Sequence, residues 1–248
     1  MTRPSAEDTG GRGPWVRAAL REAFGVPGLV LGASFLGFGS LVRESGLSLW
    51  QGLASSLGMW ALPGQVAFVE LYAAGASAFA IVLAVALTNA RLMPMTVVLQ
   101  PRLRTPGVAA WRYYVAAHFV AVTSWANSMQ RLPEVPERHR MAWFAAFAGG
   151  LFLGSFAATA AGYALAGLVP KPVTLALVFL NPVYFMLIFI TDLKHRAKAL
   201  ALVTGAVLGP LLHQVDADWG LLATGLIAGT AAFLADLAWR RYAGARHG

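Results

Sequence analysis

Asn89 and Arg91 stand two residues apart in ALTNARLMPM, well inside an apolar stretch. A charge held at mid-membrane costs at least ~2.5 kcal/mol and points to function by default. The guanidinium is always charged and presents a planar fork that suits a carboxylate. At ~1.5 Å per residue, Arg91 lies roughly 14 Å from the end of its segment near Gln100. Snorkelling relieves part of the cost, so a structural anchor is the competing reading. Glu70 is the other candidate charge, read either as interfacial or as a proton carrier in a wet cavity, which makes it the candidate for coupling. It precedes the Gly75 turn by about five residues, whereas Arg91 follows it by about sixteen, so at ~1.5 Å per residue the two differ in depth.

Two apolar runs carry helix breakers. Pro63-Gly64 interrupts SSLGMWALPGQVAFVEL, and Asn181-Pro182 interrupts LVFLNPVYFML. Proline removes a backbone donor and clashes with the preceding turn, and glycine permits unwinding. A half-helix beginning near Gln65 would offer free N–H groups and a positive dipole end to a carboxylate. Asn181 is a good N-cap and Pro182 a good first helical residue. A plain kink without ligand remains the alternative at each break. Ser34 and Phe35 follow Gly32 in the first span, where one hydroxyl on a small-residue face can line a cavity. The expected substrate-binding set is therefore Ser34, Phe35, Gly64, Gln65, Asn89, Arg91 and Asn181, with helix breaks at Pro63, Gly64 and Pro182.

Much chemistry is excluded. There is no cysteine, hence no disulfide, thiolate or cysteine-ligated metal. The five histidines form no His-x-x-x-His pair. No His-Glu-x-x-His motif, paired intramembrane Asp or Ser–His arrangement supports an enzyme. No cofactor and no metal are expected.

The elements that must hold these residues are membrane helices. The 248 residues are 58% hydrophobic and only 12% charged, with a mean hydropathy of +0.62. The net charge of +8 is distributed between and outside long apolar runs. That is the pattern of a multi-pass protein facing an anionic leaflet, not of a nucleic-acid-binding face. A span needs ~20 apolar residues. Candidate segments lie near 24–42, 48–73, 76–100, 108–129, 141–169, 173–190, 199–212 and 219–238. Residues 15–24 read as a short interfacial helix. Residues 1–14 read as a disordered cytoplasmic tail, 15–239 as one transmembrane domain and 240–248 as a basic cytoplasmic tail. Glycine pairs at GxxxG spacing (Gly28/Gly32, Gly150/Gly154, Gly205/Gly209, Gly225/Gly229) suit close helix packing.

The run Pro27–Phe35 resembles Gly149–Phe156, and a broken apolar segment follows each. Paired interrupted segments in two halves are a pointer to a transporter's binding site. The expected fold is all-α and polytopic: two pseudo-symmetric repeats, read as inverted, about 24–100 and 141–212. It has six to eight membrane segments, according to whether 48–73 and 173–190 cross or re-enter. Both termini fall in the cytoplasm by charge bias.

The order of motifs resembles a known family. Gly32-Ala-Ser34-Phe35, then Gly64-Gln65, then Asn89-Ala-Arg91, then Pro101–Arg104 is similar to the large subunit of the AzlC-type, azaleucine-resistance branched-chain amino acid exporters. The resemblance implies efflux of Leu, Ile, Val and often Met. It also implies a small AzlD-type membrane partner and the bacterial inner membrane. Two departures stand out: Leu92 where members often carry His, and Thr123-Ser124-Trp125 where many carry acidic residues. No cytoplasmic coupling loop or P-loop supports direct ATP coupling. The expected function is a secondary exporter of small hydrophobic amino acids. The alternatives are a channel and a non-transporting assembly subunit.

Overall fold

The computed structural model describes residues 11–168, 170–191, 196–215 and 220–244, and these form twelve α-helices with no β-strand. The chain divides into two compact units, Met1–Asn181 and Pro182–Gly248. In the first unit α1 (Gly13–Ala23) leads into α2 (Val26–Glu44), with Pro27 in the first turn of α2. Then come α3 (Leu49–Met59), α4 (Leu62–Ala73), α5 (Ala78–Asn89) and α6 (Leu92–Leu99), the last extended by a 3-10 turn to Leu103. α7 (Ala110–His118), α8 (Val122–Arg131), α9 (Glu137–Leu165) and α10 (Lys171–Thr191) follow. The second unit holds α11 (Arg196–Val215) and α12 (Gly220–Gly244), packed on each other with Gly209 facing Thr224.

Among the described residues, α2 and α9 are each long and apolar enough to cross a membrane. The pair Ala78–Asn89 and Leu92–Leu103 is a third candidate, bent by 41°. α9 is the axis of the first unit. Trp15 of α1 stacks on His139, and Ala23 and Leu20 meet Gly150. Further along, Gly28 faces Leu151, a Cβ at Gly162 would meet the Leu36 carbonyl, and one at Gly39 the Thr159 carbonyl. Arg43 Nη1 donates to the carbonyls of Tyr163 and Ala164. α1 and then α2 thus run beside α9 in the same direction. The closest backbone approach between α2 and α9 is made by Gly39 and Gly162.

Two expectations are corrected here. α2 and α9 are the counterparts that the Pro27–Phe35 and Gly149–Phe156 likeness pairs. A two-fold axis in the membrane plane would reverse one of them, yet they are parallel, so inversion does not relate 24–100 to 141–212 through these helices. α10 also runs unbroken through positions 181 and 182. A proline deletes one hydrogen bond, but in an apolar helix the flanking bonds and neighbours carry the backbone through. The side chains of Asn181 and Pro182 lie outside the described residues. So do residues 1–10 of the expected tail, whereas α1 already begins at Gly13 and packs on α9. α12 continues to Gly244, so much of the expected tail from 240 is helical.

The α7–α8 segment turns back on itself. Thr105, just before α7, donates through Oγ1 to the Glu137 carbonyl and accepts from the Met141 amide. Arg131, which ends α8, is joined to Glu137 by a five-residue link. Both ends of the segment therefore lie where α9 begins, and Phe119 at its bend reaches Phe152, with 5.3 Å between ring centroids. It is a hairpin that points along α9. α3–α4 also turns back. A helix continuing from Ser55 to Gln65 would separate their Cα atoms by about 15 Å. The Gln65 amide nonetheless donates to Ser55 Oγ at 3.1 Å and Ser56 Oγ at 2.8 Å, within a joint side-chain reach of roughly 10 Å. Arg131 also bonds Glu22 at 2.7 Å, tying α8 to α1. That hydrogen bond holds the guanidinium proton more firmly than usual.

Candidate functional site

Three helix breaks meet in the first unit. The first is at Trp60–Ala61, where the backbone leaves the helical region for φ −148°, ψ 97° at Ala61. It lies slightly before the expected Pro63-Gly64 position. A proline is tolerated in a helix's first turn, where its missing N–H has no partner to lose, so α4 starts at Leu62 with Pro63 inside that turn. The second break is at Ala90–Arg91. Pro94 can neither donate to the Ala90 carbonyl nor pack against it, which explains the bend. The third is at Phe119–Ala121, where Ser124 Oγ donates to the Phe119 carbonyl and accepts from the Ala121 amide. The sequence reading missed this third break, for it holds neither glycine nor proline. Its available signal was Ser124, a side chain that competes for backbone groups at a helix start.

Trp60 and Phe119 pin the first and third breaks together. Their ring centroids are 6.3 Å apart, and Phe152 of α9 completes the triangle at 5.6 Å from Trp60, with every pair close to edge-on. Gly64 joins the first break to the second. A Cβ at Gly64 would lie 2.5 Å from both terminal atoms of the Asn89 amide. α4 and α5 form an antiparallel pair through the turn at Gly75, so both breaks sit at the end far from that turn.

Of the expected residues, Gly64, Gln65, Asn89 and Arg91 are therefore brought to one place. Gln65 is fully buried; its amide nitrogen serves the two serines and its Oε1 has no partner. Asn89 Oδ1 and Trp60 Nε1 are likewise buried without a partner. Each such atom costs about 1–3 kcal/mol, and a cluster of them is a reason to look for a ligand or ordered water. Arg91 stands at the N-cap position of α6 without a capping bond and is exposed on the chain, with no hydrogen bond or ion pair to the described residues.

Others are not brought in. Phe35 is a core residue, edge-on to Phe38 at 6.0 Å, and not a cavity wall. A large aromatic on the α9 side of α2 gains more from that packing than from lining a polar space. Ser34 is fully buried beside it, and its Oγ bonds nothing. Glu70 is exposed on α4, six residues beyond Gly64 and so about 9 Å further toward the turn. Among the described residues no three His, Asp or Glu side chains are grouped to hold a metal ion. Two open cavities lie instead near the start of α9. One, of about 720 Å³, is lined by Gln100, Arg104, Tyr113, Tyr114 and Glu137 among others. The other, of about 400 Å³, is a groove between α7 and the first half of α9.

The family model described as "AzlC protein" matches residues 28–169, more than half of the chain. The chain belongs to the AzlC family. The matched stretch of this AzlC protein runs from α2 to the end of α9 and so contains all three breaks and both hairpins. The family is associated with membrane transport of branched-chain amino acids and not with enzymes. Neither the curated proteins nor the solved structures give a significant match.

Proposed function

We propose that this AzlC protein is a secondary transporter that exports small hydrophobic, branched-chain amino acids across the bacterial inner membrane with a small AzlD-type partner. The observation that carries the reading is the meeting of three helix breaks around Gly64 and Asn89. Half-helix ends supply what a zwitterion needs: N–H groups for the carboxylate at the starts of α4 and α6, and carbonyls for the ammonium at the ends of α3 and α5. Arg91 adds a fork for the carboxylate. Gln65 Oε1 and Asn89 Oδ1 add acceptors for the ammonium, and the rings of Trp60, Phe119 and Phe152 supply an apolar wall. Asn181 is retained as a candidate from the second half of the chain.

Gln65 is fully buried, so substrate reaches it when the hairpin tips part, and Ser34, buried in the core of α2, is kept only as a candidate beyond that site. The two hairpins enter from opposite sides in this reading, each serving as the gate for one side, with Glu70 as the coupling group. Arg12, Arg102, Arg104, Arg112, Arg131, Arg138 and Arg140 gather near the start of α9, while Arg43 is at its far end. The positive-inside rule assigns the former end to the cytoplasm, with both termini there too. The deciding test is efflux of Leu, Ile, Val and Met from loaded cells, with and without the partner. Export that requires this chain supports the reading; retention of all four with both subunits inserted would leave it a non-transporting assembly subunit.

A further inference from the structure

The direction in which the buried Gln65 amide points is set from α3. Gly52 holds α3 close to α2, since a Cβ there would lie 3.0 Å from the Val42 side chain. The Gly52 carbonyl accepts the hydroxyl hydrogen of Ser55 at 2.7 Å and that of Ser56 at 3.4 Å. A hydroxyl has one hydrogen to give and two lone pairs to offer. With both hydrogens committed to Gly52, the two serines meet Gln65 only as acceptors. The amide therefore turns its nitrogen to them, at 3.1 Å and 2.8 Å, and its Oε1 the other way. Turning the amide over would set oxygen against those lone pairs or strip the Gly52 carbonyl of both hydroxyl bonds. Oε1 is left buried, able only to accept, and without a partner. Such an atom is satisfied by an incoming donor.

We infer that Ser55 and Ser56 are positioning residues that hold Gln65 Oε1 toward the substrate's amino group, so that the site selects amino acids over the 2-hydroxy and 2-oxo acids of the same carbon skeleton. The inference rests on the proposed function for placing the substrate at these helix breaks. An ammonium brings three donors, a hydroxyl one and a keto oxygen none. The three compounds share one isobutyl tail and one carboxylate. Arg91 and the aromatic wall therefore treat them alike, and the ranking falls to the acceptors. Of these, Gln65 Oε1 is the one whose direction Ser55 and Ser56 fix.

The full-length chain is purified in dodecyl maltoside from cells that also express the small partner. It is titrated with L-leucine, 2-hydroxy-4-methylpentanoate or 4-methyl-2-oxopentanoate, and the shift of the thermal unfolding midpoint gives each affinity. Leucine is expected to bind at least about ten-fold more tightly than the 2-oxo acid, with the 2-hydroxy acid between them. Ser55→Ala with Ser56→Ala weakens leucine about ten-fold, because either orientation of the amide then leaves one end unpaired. The 2-oxo acid is unaffected or binds more tightly, whereas a merely structural loss would weaken both ligands alike. Ser55→Thr keeps the hydroxyl and the preference. Ser55→Ala alone, expected to narrow the preference about three-fold, carries the test where the double variant fails to fold. Equal affinity of the unmodified chain for leucine and the 2-oxo acid, binding of none of the three, or an unchanged preference in the folded alanine variants overturns the assignment. Leucine bound with this preference yet not exported overturns the transport reading alone.

Discussion

The Asn89 amide occupies the space where a side chain at position 64 would begin, 2.5 Å from the ideal Cβ of Gly64. Hydrogen is the only substituent at position 64 that leaves the amide where it is. Gly64→Ala is therefore expected to push Asn89 aside at a cost of about 1–3 kcal/mol. Efflux per inserted molecule should fall at least about ten-fold, 1.4 kcal/mol in a rate being a factor of ten. Adding Asn89→Ala restores thermal stability without restoring efflux. A double variant that exports normally would remove Asn89 from the site.

Arg91 separates charge from shape. Arg91→Lys keeps the protein inserted but weakens transport, because a point charge replaces the fork. Arg91→Leu abolishes transport and leaves insertion intact or improved, since a costly intramembrane charge is gone. Efflux normalised to inserted protein decides the matter. Normal efflux in Arg91→Leu would make the residue a snorkelling anchor, and loss of inserted protein a structural one.

The map of helices was legible because each span needs its own long apolar run, and every run from 24–42 to 219–238 corresponds to a helix or a broken pair. Gly64 and Asn89, which meet in the structure, stood out for a related reason: polar and breaking residues are conspicuous against leucine and alanine. The bend at Ala90–Arg91 was marked by Pro94, one turn on. Other features left no local trace. The break at Phe119–Ala121 is set by Ser124 and by contact with Trp60 and Phe152, which are far away in sequence. Asn181-Pro182 carries the strongest breaking signal after Pro63-Gly64, yet α10 continues, since a proline lowers helix stability without dictating what tertiary contacts then hold. The parallel course of α2 and α9 is likewise beyond periodicity, which gives a helix its face but not its direction relative to a neighbour.

The Trp60–Phe119–Phe152 triangle should be a stability centre. Phe152→Ala leaves both bends without their common neighbour and is expected to cost roughly 3 kcal/mol, whereas Phe152→Leu keeps most of the volume and costs under about 1.5 kcal/mol. Thermal unfolding in detergent measures both. Equal midpoints for the two variants would show that the rings touch without bearing load.

The hairpins make a labelling prediction that a set of full crossings does not. In this cysteine-free chain, Pro106→Cys and Pro133→Cys flank α7–α8 and should both resist an impermeant thiol reagent in intact cells. Ser45→Cys and Ala76→Cys flank α3–α4 and should both react. Cysteines at residues 5 and 246 report the termini and should be protected. Reaction of Pro133→Cys from outside would turn α7–α8 into a span.

The tip-to-tip meeting at Trp60 and Phe119 has an electrical consequence. Where water fills both hairpin mouths, the insulating layer is no longer the ~30 Å of hydrocarbon but one aromatic contact, 6.3 Å between centroids. Most of the membrane potential then drops across that contact, at about 2.3 kcal/mol per elementary charge per 100 mV. A zwitterion passes such a layer with no net electrical work, while any single ion moving with it feels nearly the whole field.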